Sequence, residues 1–151
     1  MIFYLLCIII FVAIDILVKY IVASNMYFGE TIPVIKDFFH ITYVENRGIA
    51  FGIFQGKVSI IAVVTILIVV GIIIYFLKNV KKFTFLERFA YLFIISGALG
   101  NIFDRALRGY VVDMFDFRGI WSFIFNIADI YINLGIVLLL IDLLQKRKKE
   151  N

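Results

Sequence analysis

The chain has 151 residues, 64% hydrophobic and only 17% charged, with a mean hydropathy of +1.05, which excludes a soluble globular domain and leaves a single-domain integral membrane protein. Its net charge of +4 concerns topology and headgroup contact, because no basic patch interleaved with exposed aromatics points to nucleic acid. A lone cysteine, Cys7, excludes a disulfide framework, and inside an apolar helix it reads as a small buried hydrophobe.

A hydrocarbon core about 30 Å thick takes about 20 apolar residues per helix, and four spans are predicted. The first, about 2–21, lacks a basic n-region and a small-x-small cleavage site, so it reads as a permanent helix. It carries Asp15 and Lys19 at i and i+4. Residues so spaced share a face, so the two either neutralise each other with the lysine reaching the outer headgroups, or shape a site.

Residues 22–57 form the predicted extracytoplasmic segment. Phe38 to Val44 is strand-like, and Glu45-Asn46-Arg47-Gly48 reads as a turn before the small-residue run Ile49-Ala50-Phe51-Gly52. Ile35, Phe38, Phe39, Tyr43, Phe51 and Phe54 are too apolar for a solvated loop and predict contact with the bilayer. His40, the only histidine, has no serine or cysteine partner in sequence and reads as satisfied structure.

The second span, 58–77, is uncharged. The third, about 89–105, places Asn101, Asp104 and Arg105 at i, i+3 and i+4 after Gly97 and Gly100, small residues that let a neighbouring helix approach. Gly109 to Phe117 reads as a strand or extended turn carrying Asp113. The fourth span, about 122–144, holds Asn126 and Asp129 in its first two turns. Basic residues at Lys78, Lys81, Lys82 and Arg88, and again from Lys146 to Lys149, put both termini in the cytoplasm, although Lys36, Arg47, Lys57, Arg108 and Arg118 lie in the outward segments.

An ionisable group at membrane depth costs at least roughly 2.5 to 3.5 kcal/mol, so the aspartates at the outer edge need a reason. Two close carboxylates in a low-dielectric site share one proton, giving an acid and a base from the same residue type. Asp113 and Asp129 are the candidates for peptide-bond hydrolysis, and which of them begins protonated is open at this level. Two other classes compete. A proton-coupled transporter also buries carboxylates, but no internal repeat relates the helix pairs. A magnesium-dependent lipid enzyme would use Asp104, Asp113 and Asp116, but lacks a glycine-rich phosphate cradle.

Six blocks, in order along the chain, resemble the lipoprotein signal peptidase family, also called signal peptidase II. They are Asp15-x-x-x-Lys19, Ile32-Pro33-Val34-Ile35 through Phe38-Phe39, Asn46-x-Gly48-x-Ala50-Phe51, Gly97-Ala98-Leu99-Gly100-Asn101-x-x-Asp104-Arg105, Val111-Val112-Asp113 and Phe125-Asn126-x-Ala128-Asp129. Ser96 and Ile49 depart from the family's usual glycine and alanine without touching a charged group. The resemblance implies an all-α membrane protein of four transmembrane helices with a small outward-facing β-cradle, in the bacterial cytoplasmic membrane. It further implies an aspartic endopeptidase, without metal or cofactor, that cuts diacylglyceryl-modified prolipoproteins just before the lipidated cysteine. Asp113 and Asp129 match the family's catalytic pair; Asp15, Lys19, Asn46, Gly48, Asn101, Asp104, Arg105 and Asn126 match its substrate-binding or site-shaping positions.

Overall fold

The computed structural model describes residues 1–48, 58–120 and 123–150. In chain order the elements are α1 (Ile2–Asn25), β1 (Thr31–Ile35), β2 (Phe39–Asn46), α2 (Val58–Asn79), α3 (Phe85–Arg108), β3 (Val111–Phe117) and α4 (Ile127–Glu150). Among the described residues, four helices are long and apolar enough to cross a membrane, and the strands form one small antiparallel sheet in the order β1-β2-β3. The expected architecture of four spans and an appended sheet is therefore present.

Helix α3 is central. It packs against α1, α2 and α4 and is the most buried and least apolar of the four, since its polar stripe faces protein while the other helices turn leucine, isoleucine and valine to the outside. Close approach depends on missing side chains. A Cβ on Gly97 would fall on the carbonyl oxygen of Ala128, and one on Gly100 on the carboxylate of Asp15. A Cβ on Gly135 of α4 would lie 2.6 Å from the carbonyl oxygen of Ala90. Small residues at these positions let backbones meet where no hydrophobic force drives helices together.

Caps, more than hydropathy, set the helix ends. Thr84 accepts from the N–H of Glu87 at 3.1 Å while its own N–H donates to the Glu87 carboxylate at 2.8 Å, and Gly109 closes the helix at φ 76°. Helix α3 thus outruns the expected 89–105 at both ends. At α4 only the start is corrected inward: the helix begins at Ile127, with Phe125 instead bridging to Phe115 of β3, and it continues past the expected 144 to Glu150.

In the sheet, Val44 faces Asp113 and Asn46 faces Val111, with the register shifting between Ile41 and Val44. Strand β2 runs through Asn46, so the expected turn at Glu45-Asn46 is extended backbone. Phe39 stacks on Phe117 at 4.6 Å, and Phe117 lies parallel to Phe125 at 5.8 Å. Val22 of α1, Tyr43, Val112 and Met114 form the buried cluster that joins sheet to bundle. His40 is buried, 6% exposed, yet neither ring nitrogen has a hydrogen-bond partner among the described residues, contrary to the satisfied structural role expected of it. Cys7 is only half buried. The run from Ile49 to Gly52, and Phe54, lie outside the described residues.

Candidate active site

Asp113 is carried by β3 over the α4 N-terminus and is 2% exposed. Its Oδ1 accepts from Nδ2 of Asn126 at 2.6 Å, and its Oδ2 from Nδ2 of Asn46 at 2.8 Å. Asp129 is the third residue of α4 and remains partly exposed. Its Oδ1 accepts from Nδ2 of Asn101 at 2.9 Å and its Oδ2 from the N–H of Asn126 at 3.2 Å, while its own N–H donates to Oδ1 of Asn126 at 3.1 Å. Asn126 is therefore the N-cap of α4, in a reciprocal box with Asp129, and is not a residue of the helix's first turns as the spacing predicted. One asparagine thus holds both aspartates.

The two carboxylates have different surroundings. Burial pushes Asp113 up to about 7, and the nearby charge of Asp129 pushes the same way; hydrogen bonds from Asn126 and Asn46 and the charge of Lys19 oppose it. A carboxyl group that takes up its proton near neutrality is placed beside one reached by solvent.

Beneath this pair lies a network of ions. Lys19 is 0% exposed, so it does not reach for the headgroups. Its Nζ lies 2.8 Å from Oδ2 of Asp15, 2.9 Å from Oδ1 of Asn101 and 3.6 Å from Oδ2 of Asp104. Asp15 also accepts the N–H of Ala128 at 2.9 Å, and Asp104 the N–H of Val112 at 3.0 Å. Arg105 donates to the carbonyl oxygen of Gly48 at 3.2 Å and lies in the field of Asp129 and Asp113, while Gly48 donates its N–H to Oδ1 of Asn46 at 3.0 Å. Every residue singled out for the site from the sequence is therefore in this assembly.

Sequence reasoning missed three contributors. Arg108 pairs with Asp104 at 3.2 Å, which the i, i+4 spacing could have disclosed. The backbone N–H groups of Val112 and Ala128 carry no sequence signal. Asp116 stands apart, accepting from Thr42 at 2.9 Å and Arg118 at 3.1 Å, because three steps along a regular strand turn a side chain to the other face. It does not join Asp113 as a metal pair would, and among the described residues no three His, Cys, Asp or Glu side chains are grouped to hold a metal ion.

The family model described as Signal peptidase (SPase) II matches residues 7–145. The chain belongs to the signal peptidase II family. It is 53% identical over 148 residues to a lipoprotein signal peptidase of Fusobacterium nucleatum subsp. nucleatum, covering 97% of this chain and 90% of the relative. It is 46% identical over 138 residues to a lipoprotein signal peptidase of Clostridioides difficile, covering 91% and 92%. A bacterial membrane enzyme solved by the in meso method at 2.3 Å resolution superposes with a TM-score of 0.89 at 35% identity, over 98% of this chain and 91% of the other. A second, solved at 1.9 Å, gives 0.81 at 36% identity over 93% and 92%. Membership makes the chain a multi-pass membrane protease, as the sequence blocks predicted, and neither the transporter nor the lipid-enzyme reading finds support.

Proposed function

We propose that the chain is an aspartic endopeptidase that removes signal peptides from diacylglyceryl-modified prolipoproteins, cutting before the lipidated cysteine, with Asp113 and Asp129 as its acid and base. The observation that carries this reading is Asn126 bridging two carboxylates of unequal burial. Unequal environments divide the labour of like residues. Buried Asp113 holds the proton and donates a hydrogen bond to the oxygen of the scissile carbonyl. Asp129, reached by solvent, takes a proton from water as that water attacks the carbon. Collapse of the tetrahedral species breaks the C–N bond, and the proton on Asp129 passes to the leaving amine. Arg105, Asn46 and the Gly48 carbonyl border the pair and are suited to hold the substrate backbone. A site at the helix ends lets the diacylglyceryl chains stay in lipid. Incubating the purified protein with a diacylglyceryl prolipoprotein in the presence of EDTA tests the reading, with a gel shift to the mature size expected and an EDTA-abolished, magnesium-restored shift against it.

The acid role has a pH consequence. Asp113 must be protonated to donate, and its proton is lost as pH rises through about 7, so the rate constant for cleavage should fall on the alkaline side of neutrality. A profile flat from pH 6 to 9 on a lipidated peptide would contradict the assignment.

The proposed orientation places both termini and the 78–88 loop in the cytoplasm and the sheet outside. In a Cys7→Ser background, single cysteines in that loop or after Lys146 should react only with reagent on the cytoplasmic side, and one near Ser24 only from outside. The opposite pattern would invert the topology.

A further inference from the structure

The peptide N–H groups just before the two aspartates are both held by buried carboxylates. Val112, preceding Asp113, donates to Asp104 at 3.0 Å, and Ala128, preceding Asp129, donates to Asp15 at 2.9 Å. Asp104 belongs to α3 and Asp15 to α1, so β3 and the start of α4 are each tied to a different helix. Both carboxylates meet on one ammonium. Lys19 lies 2.8 Å from Asp15 and 3.6 Å from Asp104, with no solvent exposure. Its hydrogen bond goes to Oδ1 of Asn101 at 2.9 Å, which turns the amide so that Nδ2 faces Asp129 at 2.9 Å. The ammonium thus donates to Asn101 and lies within ion-pair distance of both carboxylates that hold the pair.

We infer that Lys19 is a positioning residue of the reaction: by drawing Asp15 and Asp104 together it sets the separation of the Asp113 and Asp129 backbones, and through Asn101 it orients the Asp129 carboxylate. The inference rests on the aspartate-pair reading above. It also explains why a lysine is kept fully buried, which is costly unless its neighbours compensate it fully. Gly100 belongs to the same device, since any side chain there would displace the Asp15 carboxylate. Among the described residues the charged groups facing Asp113 are Asp129 from α4, Lys19 from α1 and Arg105 from α3. Loss of Lys19 removes one of the two cations and moves the proton loss of Asp113 to higher pH.

The test uses the full chain in detergent with a diacylglyceryl lipobox peptide, comparing Lys19→Met, the neutral triple variant Lys19→Met/Asp15→Asn/Asp104→Asn, Asp113→Asn, Asp129→Asn and Asp142→Asn. The triple variant removes Lys19 together with both its carboxylate partners, leaves only the part-exposed Arg108 without Asp104, and each asparagine keeps an oxygen for the N–H it holds. Misplacement of reacting groups by about 1 Å costs about 100-fold. Folded Lys19→Met and the folded triple variant should therefore each lose about 100-fold in kcat with KM changed less than about 3-fold, and the alkaline limb of the Lys19→Met profile should move upward. Asp142→Asn removes the ion pair with Lys146 at 2.9 Å, far along α4, and should lower Tm while keeping kcat within about 3-fold. Any folded Lys19 variant with kcat near the parent, or a loss in Lys19→Met without movement of its alkaline limb, overturns the inference while inactive Asp113→Asn and Asp129→Asn leave the aspartate pair standing. Failure of both Lys19 variants to fold makes the lysine a folding residue and also overturns it. Activity in either aspartate variant instead defeats the pair itself, and this inference with it.

Discussion

Asp113→Asn, Asp129→Asn and the double variant are expected to be inactive to nearly the same degree, each at least about 1,000-fold below the parent in kcat, within the range that general acid–base groups supply. The reason is the shared proton. Removing either carboxylate leaves no base for water or no donor for the oxyanion, so the second substitution has little left to remove. Asp116→Asn, whose oxygen bonds to Thr42 and Arg118 on the other face of the strand, should keep activity within a few fold. The Asp113 variant should also remain folded. Its carboxyl titrates near 4 in an unfolded chain and at about 7 here, so the folded state favours the protonated form. That preference contributes stability at low pH and loses it as pH rises through about 7. An asparagine escapes this loss, and the Tm of Asp113→Asn at pH 8 should equal or exceed that of the parent. Cleavage of a lipidated precursor and thermal melting of all four variants in one detergent check both points. Full activity in Asp129→Asn would remove the pair from this account.

Gly97→Val is expected to abolish cleavage and lower Tm, although the substituted position contacts no reacting group. Its Cβ would occupy the Ala128 carbonyl oxygen and crowd Ile132, and backbone cannot swing aside as a flexible side chain does. Overpacking of this kind costs about 1–3 kcal/mol or more, and the relief open to the molecule is to move α4 away from α3. That motion carries Asp129 off Asn101, whose hydrogen bond spans the same two helices. Gly71→Ala on α2 is the matched control: nothing lies within 4 Å of the added methyl, and an alanine favours a helix over glycine by about 0.5–1 kcal/mol. It should leave cleavage unchanged and Tm equal or slightly raised. Melting curves with cleavage rates for the two variants decide, and a stable, active Gly97→Val would refute the close packing of α3 on α4.

Much of the site was legible in the chain because local spacing carries it. Asp15 and Lys19 at i, i+4, and Asn101 with Asp104 and Arg105, follow from helical periodicity alone. Glycines at 97 and 100 announced a close neighbour without saying which one, and the structure supplies α4 for the first and Asp15 for the second. Helix ends were less legible, since the limits of α3 come from a reciprocal cap at Thr84 and a left-handed glycine at 109, which hydropathy does not register.

Composition and periodicity by themselves determined that the chain is a membrane protein of four spans with carboxylates at one edge, because burial in lipid admits few sequences and a charge there needs a partner. They could not determine who the partners are. Tertiary structure alone decided that Lys19 is sealed inside and not raised to the headgroups, that Asn126 caps α4 and grips both aspartates, that His40 is buried without a hydrogen-bond partner among the described residues, and that Asp113, not Asp116, faces α4. Each of these depends on groups more than ten residues apart, or on peptide N–H groups that every residue possesses, and neither leaves a mark on local pattern.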